Sequence, residues 1–441
     1  MTNTNAQLTA AEEIGAADDA FRKVAWRLIP FMILLYFVAF LDRINIGIAA
    51  LTMNKDLGIS ATAYGNAAGI FFLGYFLFEV PSNIMLEKVG ARRWIARIMV
   101  TWGLLSAGMT FVQGEASLFV IRFLLGAAEA GFFPGMILYL TYWFPASTRA
   151  KITGAFLVAI PLSSVLGAPV SSAILDLEGF GLRGWQWLFL IEGIPAILLG
   201  FVVLKYLTDK PADAEWLSPS ERQIVSDGIA AEAAHGGEKH SLAAGLVSLK
   251  VWLFGLIYFG IVIGVYGMSL WLPQIVKGFG ELSNQQVGLI TAIPHAFGAV
   301  AMVIWGRHSD KAGERVWHMA LAAFAGAGGL VASAFLASAP IVALSAMTFA
   351  AIGIYSALPV FWTLPTAILR GTAAAGGIAL INSLGNLSGY LGPSMVGYLK
   401  DQTGSFQSGL IMLGGFLAMA GLLVLAVTRN RAPERAFILK S

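Results

Sequence analysis

Twelve long apolar segments limit what this chain can fold into more than any other feature of its sequence. A run of about 20 apolar residues is long enough to cross a bilayer as a helix. Of the 441 residues, 57% are hydrophobic and only 12% are charged, whereas soluble proteins carry about 25% charged residues. The sequence therefore predicts an all-α membrane protein with 12 transmembrane helices. The predicted spans lie at 26–50, 64–86, 94–113, 117–142, 153–175, 185–207, 251–276, 285–306, 316–337, 340–364, 374–399 and 406–428.

The distribution of basic residues predicts the orientation of these spans. If the N-terminus is cytoplasmic, 22 of the 28 lysines and arginines lie on the cytoplasmic side and 4 lie outside. Basic residues favour the cytoplasmic side of bacterial membranes. We therefore expect a multi-pass protein of the bacterial inner membrane, with both termini in the cytoplasm. Residues 1–25 lack the apolar region of a signal peptide and predict a short, frayed cytoplasmic tail.

Composition also excludes several classes of protein. Cysteine is absent, which rules out disulfides and thiolate metal sites. The net charge of +3 is spread over short loops and does not suggest a nucleic-acid partner. The sequence has neither a phosphate-binding P-loop, nor a metal-ligand cluster, nor a nucleophile–base set. We expect neither enzyme activity nor a metal, and no cofactor apart from protons as the coupling ion.

A repeated loop divides the chain into two halves. Glu87-Lys-Val-Gly-Ala-Arg92 follows the second span, and Asp310-Lys-Ala-Gly-Glu-Arg315 follows the eighth, 223 residues later. The longest connection, 208–250, separates the halves and is too short for a catalytic domain. The predicted units are a tail at 1–25, a six-helix bundle at 26–207, a cytoplasmic linker at 208–250, a second six-helix bundle at 251–428 and a tail at 429–441. We expect short amphipathic helices in the linker.

Four charged residues lie inside the predicted spans, where a charge costs about 2.5–3.5 kcal/mol on insertion scales. Asp42 and Arg43 are neighbours in the first span, and Arg122 and Glu129 lie in the fourth. Two helical turns, about 10.5 Å, separate Arg122 from Glu129, so both occupy one face. Intramembrane charges of this kind indicate a functional site. The alternative is that they are ion pairs that hold helices together.

Several stretches resemble the anion:cation symporter family of the major facilitator superfamily. The twelve spans, the six-plus-six division and the repeated acidic-Lys-x-Gly-x-Arg loop are similar to the superfamily as a whole. The stretches closest to the symporter family are LDRINIGIA at 41–49, GYFLFEVPSNIMLEKVGARRWIARI at 74–98, RFLLGAAEAGFFPG at 122–135 and GGIALINSLGNLSGYLGP at 376–393. The resemblance implies a cytoplasmic gate formed by the two loops. Its residues would be Glu87, Lys88, Gly90, Arg92, Asp310, Lys311, Gly313 and Arg315. Glu87 and Glu314 depart from the usual pattern, but the predicted gate keeps both acidic and basic residues.

The same resemblance implies roles for the buried charges. Arg43 matches the arginine that binds the substrate anion, and Asp42 and Glu129 match the proton-linked acids. Two acids and two bases, with Arg122 as the fourth member, can exchange partners. Protonation of Glu129 or Asp42 would free an arginine, and Arg43 could then bind a substrate carboxylate through two parallel hydrogen bonds.

The repeat places this charge chemistry in the first half. Residues 223 positions after the four charges are Val265, Tyr266, Ser345 and Ile352, so the second half has no counterpart charges. We expect neutral groups there to recognise the rest of the substrate. Together with Arg43, the candidate substrate-binding residues are Tyr75, Tyr266, Trp362, Thr363, Asn382, Ser383 and Asn386. Glu79, Glu192 and His295 are interpreted as contacts between helices or with a gate.

These features predict a secondary transporter that imports a small organic carboxylate by proton symport through alternating access. Its partners would be the organic anion, protons and the lipid bilayer, and it would act as a monomer. An exporter or antiporter with the same fold is the alternative. The cargo itself stays open between an aromatic carboxylate and a hydroxylated acid.

Overall fold

The computed structural model describes residues 2–235, 248–368 and 372–429. Within these ranges, 11 helices are long and apolar enough to cross a membrane, and they match the predicted spans apart from the eleventh. The continuous helix Thr372–Thr403 occupies that remaining position. In chain order the spans are formed by Thr2–Ile44 with Ile46–Leu57, Ala61–Val89, Ala91–Gly108, Glu115–Glu129 with Phe132–Thr141, Ala146–Ile174, Gly184–Tyr206, Leu249–Lys277, Asn284–Ala312, Val316–Phe335, Pro340–Ile368, Thr372–Thr403 and Gln407–Arg429.

The first and fourth spans are each broken into two helices, although their apolar runs predict continuous ones. The first breaks at Asn45, and the fourth breaks after Glu129, where Gly131 has φ 81°. An added Cβ at Gly131 would lie 2.5 Å from Ser82 Oγ, so the turn there needs glycine. Irregular backbone is tolerated inside a membrane only where protein or a cavity covers it. Both breaks therefore place polar residues in the protein interior.

The N-terminal tail is helical in this structure, and its fraying stays a prediction. The first helix begins at Thr2 and runs without interruption into the first span. Its Ala- and Glu-rich sequence consists largely of good helix formers. The linker contains the helix Pro219–His235. Glu221 of this helix forms an ion pair with Lys23 of the first helix, with 2.8 Å between Oε2 and Nζ. The Lys23 ammonium lowers the pKa of Glu221. Linker residues 236–247 lie outside the described ranges.

The two repeated loops differ in what they bind. After the second span, the Arg92 backbone N–H donates to Asp209 Oδ1 at 2.8 Å, so this loop is tied to the start of the linker. After the eighth span, Asp310 and Arg315 form an ion pair of 2.6 Å within the loop itself. Gly313 ends that helix with φ 62°. Among the described residues, the loop after the second span is the one that binds the linker. The gate function of either loop stays a prediction.

The two halves pack tightly at the end of the bundle opposite the termini, which we call the outer end. The second span meets the eleventh there, backbone against backbone. A Cβ added to Gly65 would lie 2.3 Å from the carbonyl oxygen of Pro393, and one added to Gly397 would lie 2.2 Å from that of Ala61. Small residues allow membrane helices to approach this closely. We call this interface, formed by Ala61, Gly65, Pro393, Gly397 and Asp401, the outer seal.

Asp401 adds a polar contact to the outer seal. Its carboxylate accepts hydrogen bonds from the backbone N–H groups of Thr62 at 2.7 Å and Ala61 at 3.3 Å, and so caps the second span from the opposite half. Loss of an N-cap side chain costs about 0.5–2 kcal/mol. We expect Asp401→Ala to raise the maleimide reactivity of a Ser394→Cys reporter in the seal about threefold to tenfold. The cysteine-free chain makes this reporter specific, and unchanged reactivity would contradict the assigned role of Asp401.

Gly126 marks a second close approach, between the fourth and second spans. An added Cβ would lie 1.9 Å from the carbonyl oxygen of Phe71, a backbone atom that cannot rotate away. We expect Gly126→Ala to lower the free energy of unfolding by about 1–3 kcal/mol, as overpacking does. The matched control is Gly415→Ala, where a Cβ meets no atom of the described chain within 4 Å. Thermal unfolding of both purified variants measures the difference.

Candidate functional site

A cavity of about 50 Å³, with both apolar and polar side chains in its wall, lies between the two halves. One water needs about 10–15 Å³ of such volume, so the cavity has room for a few waters. Binding of an organic acid therefore requires the walls to move apart. The lining residues are Tyr36, Phe40, Arg43, Tyr75, Phe133, Leu157 and Ile160 of the first half, and Tyr258, Val262, Val265, Tyr266, Leu358, Trp362, Asn382 and Asn386 of the second.

Arg43 is the charged centre of this cavity. Its guanidinium forms an ion pair with Glu129 of the fourth span and donates from Nη1 to the Tyr266 hydroxyl of the opposite half at 2.9 Å. The third donor, Nε, is buried and has no hydrogen-bond partner among the described residues. Arg43 thus bridges the two halves, and its Nε–H group is available for a further hydrogen bond.

Aromatic rings surround the Arg43 guanidinium. Its central carbon lies 5.5 Å from the ring centroid of Phe40, 5.4 Å from that of Phe71 and 5.3 Å from that of Tyr75. Ring faces attract cations, and the attraction grows when water is excluded. The rings therefore stabilise the charged arginine in a site that provides a single carboxylate, Glu129, as its counter-ion within the described chain.

Asp42 faces away from this cavity. Trp102 Nε1 donates to it at 2.7 Å and Ser106 Oγ at 3.1 Å, both from the third span. Neighbouring helix positions point in different directions, which separates Asp42 from Arg43. The four buried charges lie within electrostatic range of one another, but only Arg43 and Glu129 form an ion pair among the described residues. The exchange of partners among them stays a prediction.

Arg122 is also separate from Glu129, although both lie on one helix. Its Nε and Nη2 donate to the backbone carbonyls of Ala67 and Ala68 in the second span, at 3.3 Å and 3.2 Å. The guanidinium lies 4.9 Å from the ring centroid of Phe71. Arg122 thus anchors the second span to the fourth. The role of Arg122 in proton coupling stays a prediction. Arg122 would act by holding the second span in place.

Five of the predicted neutral residues line the cavity: Tyr75, Tyr266, Trp362, Asn382 and Asn386. The i, i+4 spacing of the two asparagines does place both side chains on one face. Thr363 and Ser383 are not among the lining residues, and the Thr363 hydroxyl donates to the carbonyl of Val360 in its own helix at 2.7 Å. Substrate contact by any of these residues is not tested by the structure.

Glu79 connects the two halves of the protein. The sequence predicted a contact between helices for Glu79 but not which helix it binds. Its Oε1 accepts a hydrogen bond from Asn382 Nδ2 at 3.1 Å, and within the described ranges Oε2 has no partner. Sequence reasoning also missed Tyr36 and Tyr258 in the cavity wall. Tyr36 precedes Arg43 by two helical turns, a spacing that could have revealed it.

Comparison with known proteins identifies the family. The family model described as Major Facilitator Superfamily matches residues 32–393. The chain belongs to the major facilitator superfamily. The resemblance inferred from its motifs is confirmed, and so are the fold class and the conclusion that the protein is a membrane transporter and not an enzyme.

Two relatives and one solved structure are especially informative. A protein of Agrobacterium vitis, provisionally named a tartrate transporter, is 55% identical over 94% of this chain and 95% of its own length. The quinolone resistance transporter of Acinetobacter baumannii is 41% identical over 92% of this chain and 94% of its own. The xylose transporter XylE from E. coli, in a partially occluded inward-open conformation, matches with a TM-score of 0.74 and 15% identity, covering 92% and 98%. This last likeness shows the fold alone.

Proposed function

We propose that this transporter imports a small organic carboxylate together with protons. The observation that carries the proposal is Arg43, a buried guanidinium with a spare donor that faces a cavity and is neutralised by one carboxylate, Glu129. An arginine in this setting suits planar, bidentate recognition of a carboxylate. A cation or neutral cargo would gain nothing from it.

The ion pair suggests how proton and substrate binding are linked. When Glu129 takes up a proton it becomes neutral, and the positive charge of Arg43 loses its partner. A substrate carboxylate then replaces Glu129 as the counter-ion, so the loaded site stays close to neutral. A buried site with balanced charge is far less costly to move through the bilayer than one with a net charge.

The neutral wall of the cavity suggests the rest of the substrate. Asn382, Asn386, Tyr258 and Tyr266 offer amide and hydroxyl groups opposite Arg43. Such groups suit hydroxyl and second carboxylate oxygens. We therefore propose a hydroxylated carboxylic acid as the cargo class, in keeping with the name of the A. vitis relative.

We further propose that the protein lies in the bacterial inner membrane with both termini in the cytoplasm, as the 22 of 28 basic residues on that side favour. One chain contains both walls of the cavity, which supports a monomeric transporter. Substrate access would alternate between the two faces as the halves rock about the cavity.

Proton movement in proteoliposomes tests the proposal. We expect external L-tartrate to drive protons inward, so that a pH indicator reports acidification of the lumen and alkalinisation outside. Protein-free liposomes and an uncoupler provide the controls. Uptake of labelled tartrate without proton movement would refute the symport, and a panel of hydroxy and aromatic acids would then be assayed by the same indicator.

The quinolone resistance relative supports an exporter as the second candidate. An antiporter exchanges its cargo for protons, so a quinolone added to proteoliposomes should move protons in the opposite direction. A quinolone response combined with no response to any carboxylate would favour this alternative.

A further inference from the structure

Two carboxyl groups lie behind the first span, on the side away from the Arg43 cavity. Asp42 is 1% exposed and Glu192, in the sixth span, is 4% exposed. Asn45 lies between them at the break in the first span. Its Nδ2 donates to Glu192 Oε2 at 3.0 Å and approaches Asp42 Oδ1 at 3.5 Å. One neutral amide therefore bridges two buried acids.

The remaining contacts of these acids are also neutral. Trp102 and Ser106 donate to Asp42, and Ser171 Oγ donates to Glu192 Oε1 at 2.5 Å. In the part of the chain that the structure describes, neither carboxyl group has a basic nitrogen within 4.0 Å. Two buried carboxylates without a counter-ion are far costlier than a protonated pair. Arg122, the buried cation near Asp42, donates to backbone carbonyls and to neither acid. The surroundings of the two acids therefore favour a bound proton.

A small pocket connects the acids with the interface between the halves. Its volume is about 20 Å³, enough for one water. It is formed by the first and fifth spans of one half and the seventh and eighth of the other. Four of its side-chain oxygens are buried without a hydrogen-bond partner in the described ranges. They are Asn45 Oδ1, Ser164 Oγ, Ser269 Oγ and Thr291 Oγ1.

We propose that Glu192 is a further proton-binding group, which shares its proton with Asp42, the acid that the family resemblance already links to protons. Asn45 would bridge the two acids, and the pocket would hydrate them. The donor end of the Asn45 amide binds the acids, while its acceptor end is left for a water in the pocket. Because the pocket lies between the halves, separation of the halves would open it to solvent. The use of this proton in transport rests on the proposed symport, but its binding does not.

Few other titratable groups face this site. Glu129 and Arg122 of the fourth span are both close enough to interact electrostatically with Asp42. His295 lines the pocket, where its Nδ1 is 2.8 Å from the Tyr355 hydroxyl. The third span packs on the sixth beside Glu192 with Gly103 and Ala107, which carry no charge. The proton is thus expected on the acid pair itself.

Infrared difference spectroscopy of the full chain in lipid tests this proposal without any substrate. Between acidic and alkaline pH, the wild-type protein should show a C=O stretching band from protonated buried carboxyl groups. We expect Glu192→Gln to remove one component of that band, while the matched control Glu115→Gln, at an exposed position, leaves it unchanged. Glu129→Gln should remove a different component.

A Glu192→Gln spectrum identical to wild type, as is expected of the Glu115→Gln control, would overturn the proposal. If Glu192→Gln does not fold, Ser171→Ala provides the second measurement. Loss of the Ser171 hydrogen bond should shift the Glu192 component, and an unshifted band would also refute the assignment. Failure of the symport itself would appear separately, as absent tartrate-driven proton movement in the wild type.

Discussion

Replacing Arg43 with alanine abolishes carboxylate binding. The substitution removes the cationic centre of the cavity and leaves the Glu129 carboxylate buried without its counter-ion. A substrate carboxylate would also lose its cation, and truncating one partner of a buried charge pair at a binding site costs about 2–5 kcal/mol. Since about 1.4 kcal/mol corresponds to a tenfold change, we expect the affinity for the transported acid to fall about a hundredfold. Calorimetric titration and uptake into proteoliposomes measure the loss.

Two further variants show whether the effect is specific. Arg43→Lys keeps the charge but loses the planar donor pair, so we expect partial binding. Arg22→Ala, at an exposed position of the N-terminal helix paired with Asp19, should bind as wild type does. Intact transport by Arg43→Ala would show that another group anchors the substrate.

Replacing Glu129 with glutamine separates substrate binding from proton movement. Glutamine resembles the protonated acid in shape and charge, so Arg43 remains available to an anion. We expect the variant to bind substrate and to exchange it across the membrane, but to lose uptake against a gradient. Wild-type affinity should rise as the pH falls, because proton binding to Glu129 frees Arg43. The affinity of Glu129→Gln should lose that dependence.

Counterflow and pH-gradient-driven uptake measure the two activities side by side. Glu115→Gln is the matched control, since Glu115 begins the helix that Glu129 ends and is exposed. A Glu129→Gln protein that still accumulates substrate against a gradient would assign the coupling proton to another acid, and Glu192 would be the next candidate.

The spans could be predicted from the sequence, but their breaks could not. The length of an apolar run determines where a helix can cross a membrane. It does not indicate a turn inside that run. The turn at Gly131 packs closely against Ser82 of the second span, and the break at Asn45 coincides with its bond to Glu192 of the sixth. Both breaks contact distant spans, and a local sequence pattern does not contain such contacts.

The candidate functional site could likewise be predicted only in part from the sequence. The sequence singled out Arg43 and Glu129 because charges are rare in apolar spans, and the structure pairs them. It could not predict that Arg122 binds backbone carbonyls, because a carbonyl acceptor leaves no trace in the pattern of side chains. The bridging role of Asn45 was also missed, since a lone asparagine has no distinctive spacing.

Arg43 and Tyr266 lie 223 residues apart, the same offset as the repeated loops, so each is the other's counterpart in the duplicated halves. Counterparts that touch must lie beside the axis that relates the halves. Two arginines there would face each other as like charges, so identical halves could not both carry this residue. An arginine on one side of the axis and a tyrosine on the other give the cavity a charged wall and a neutral wall. We expect a carboxylate that enters it to be oriented with its charged end toward the first half.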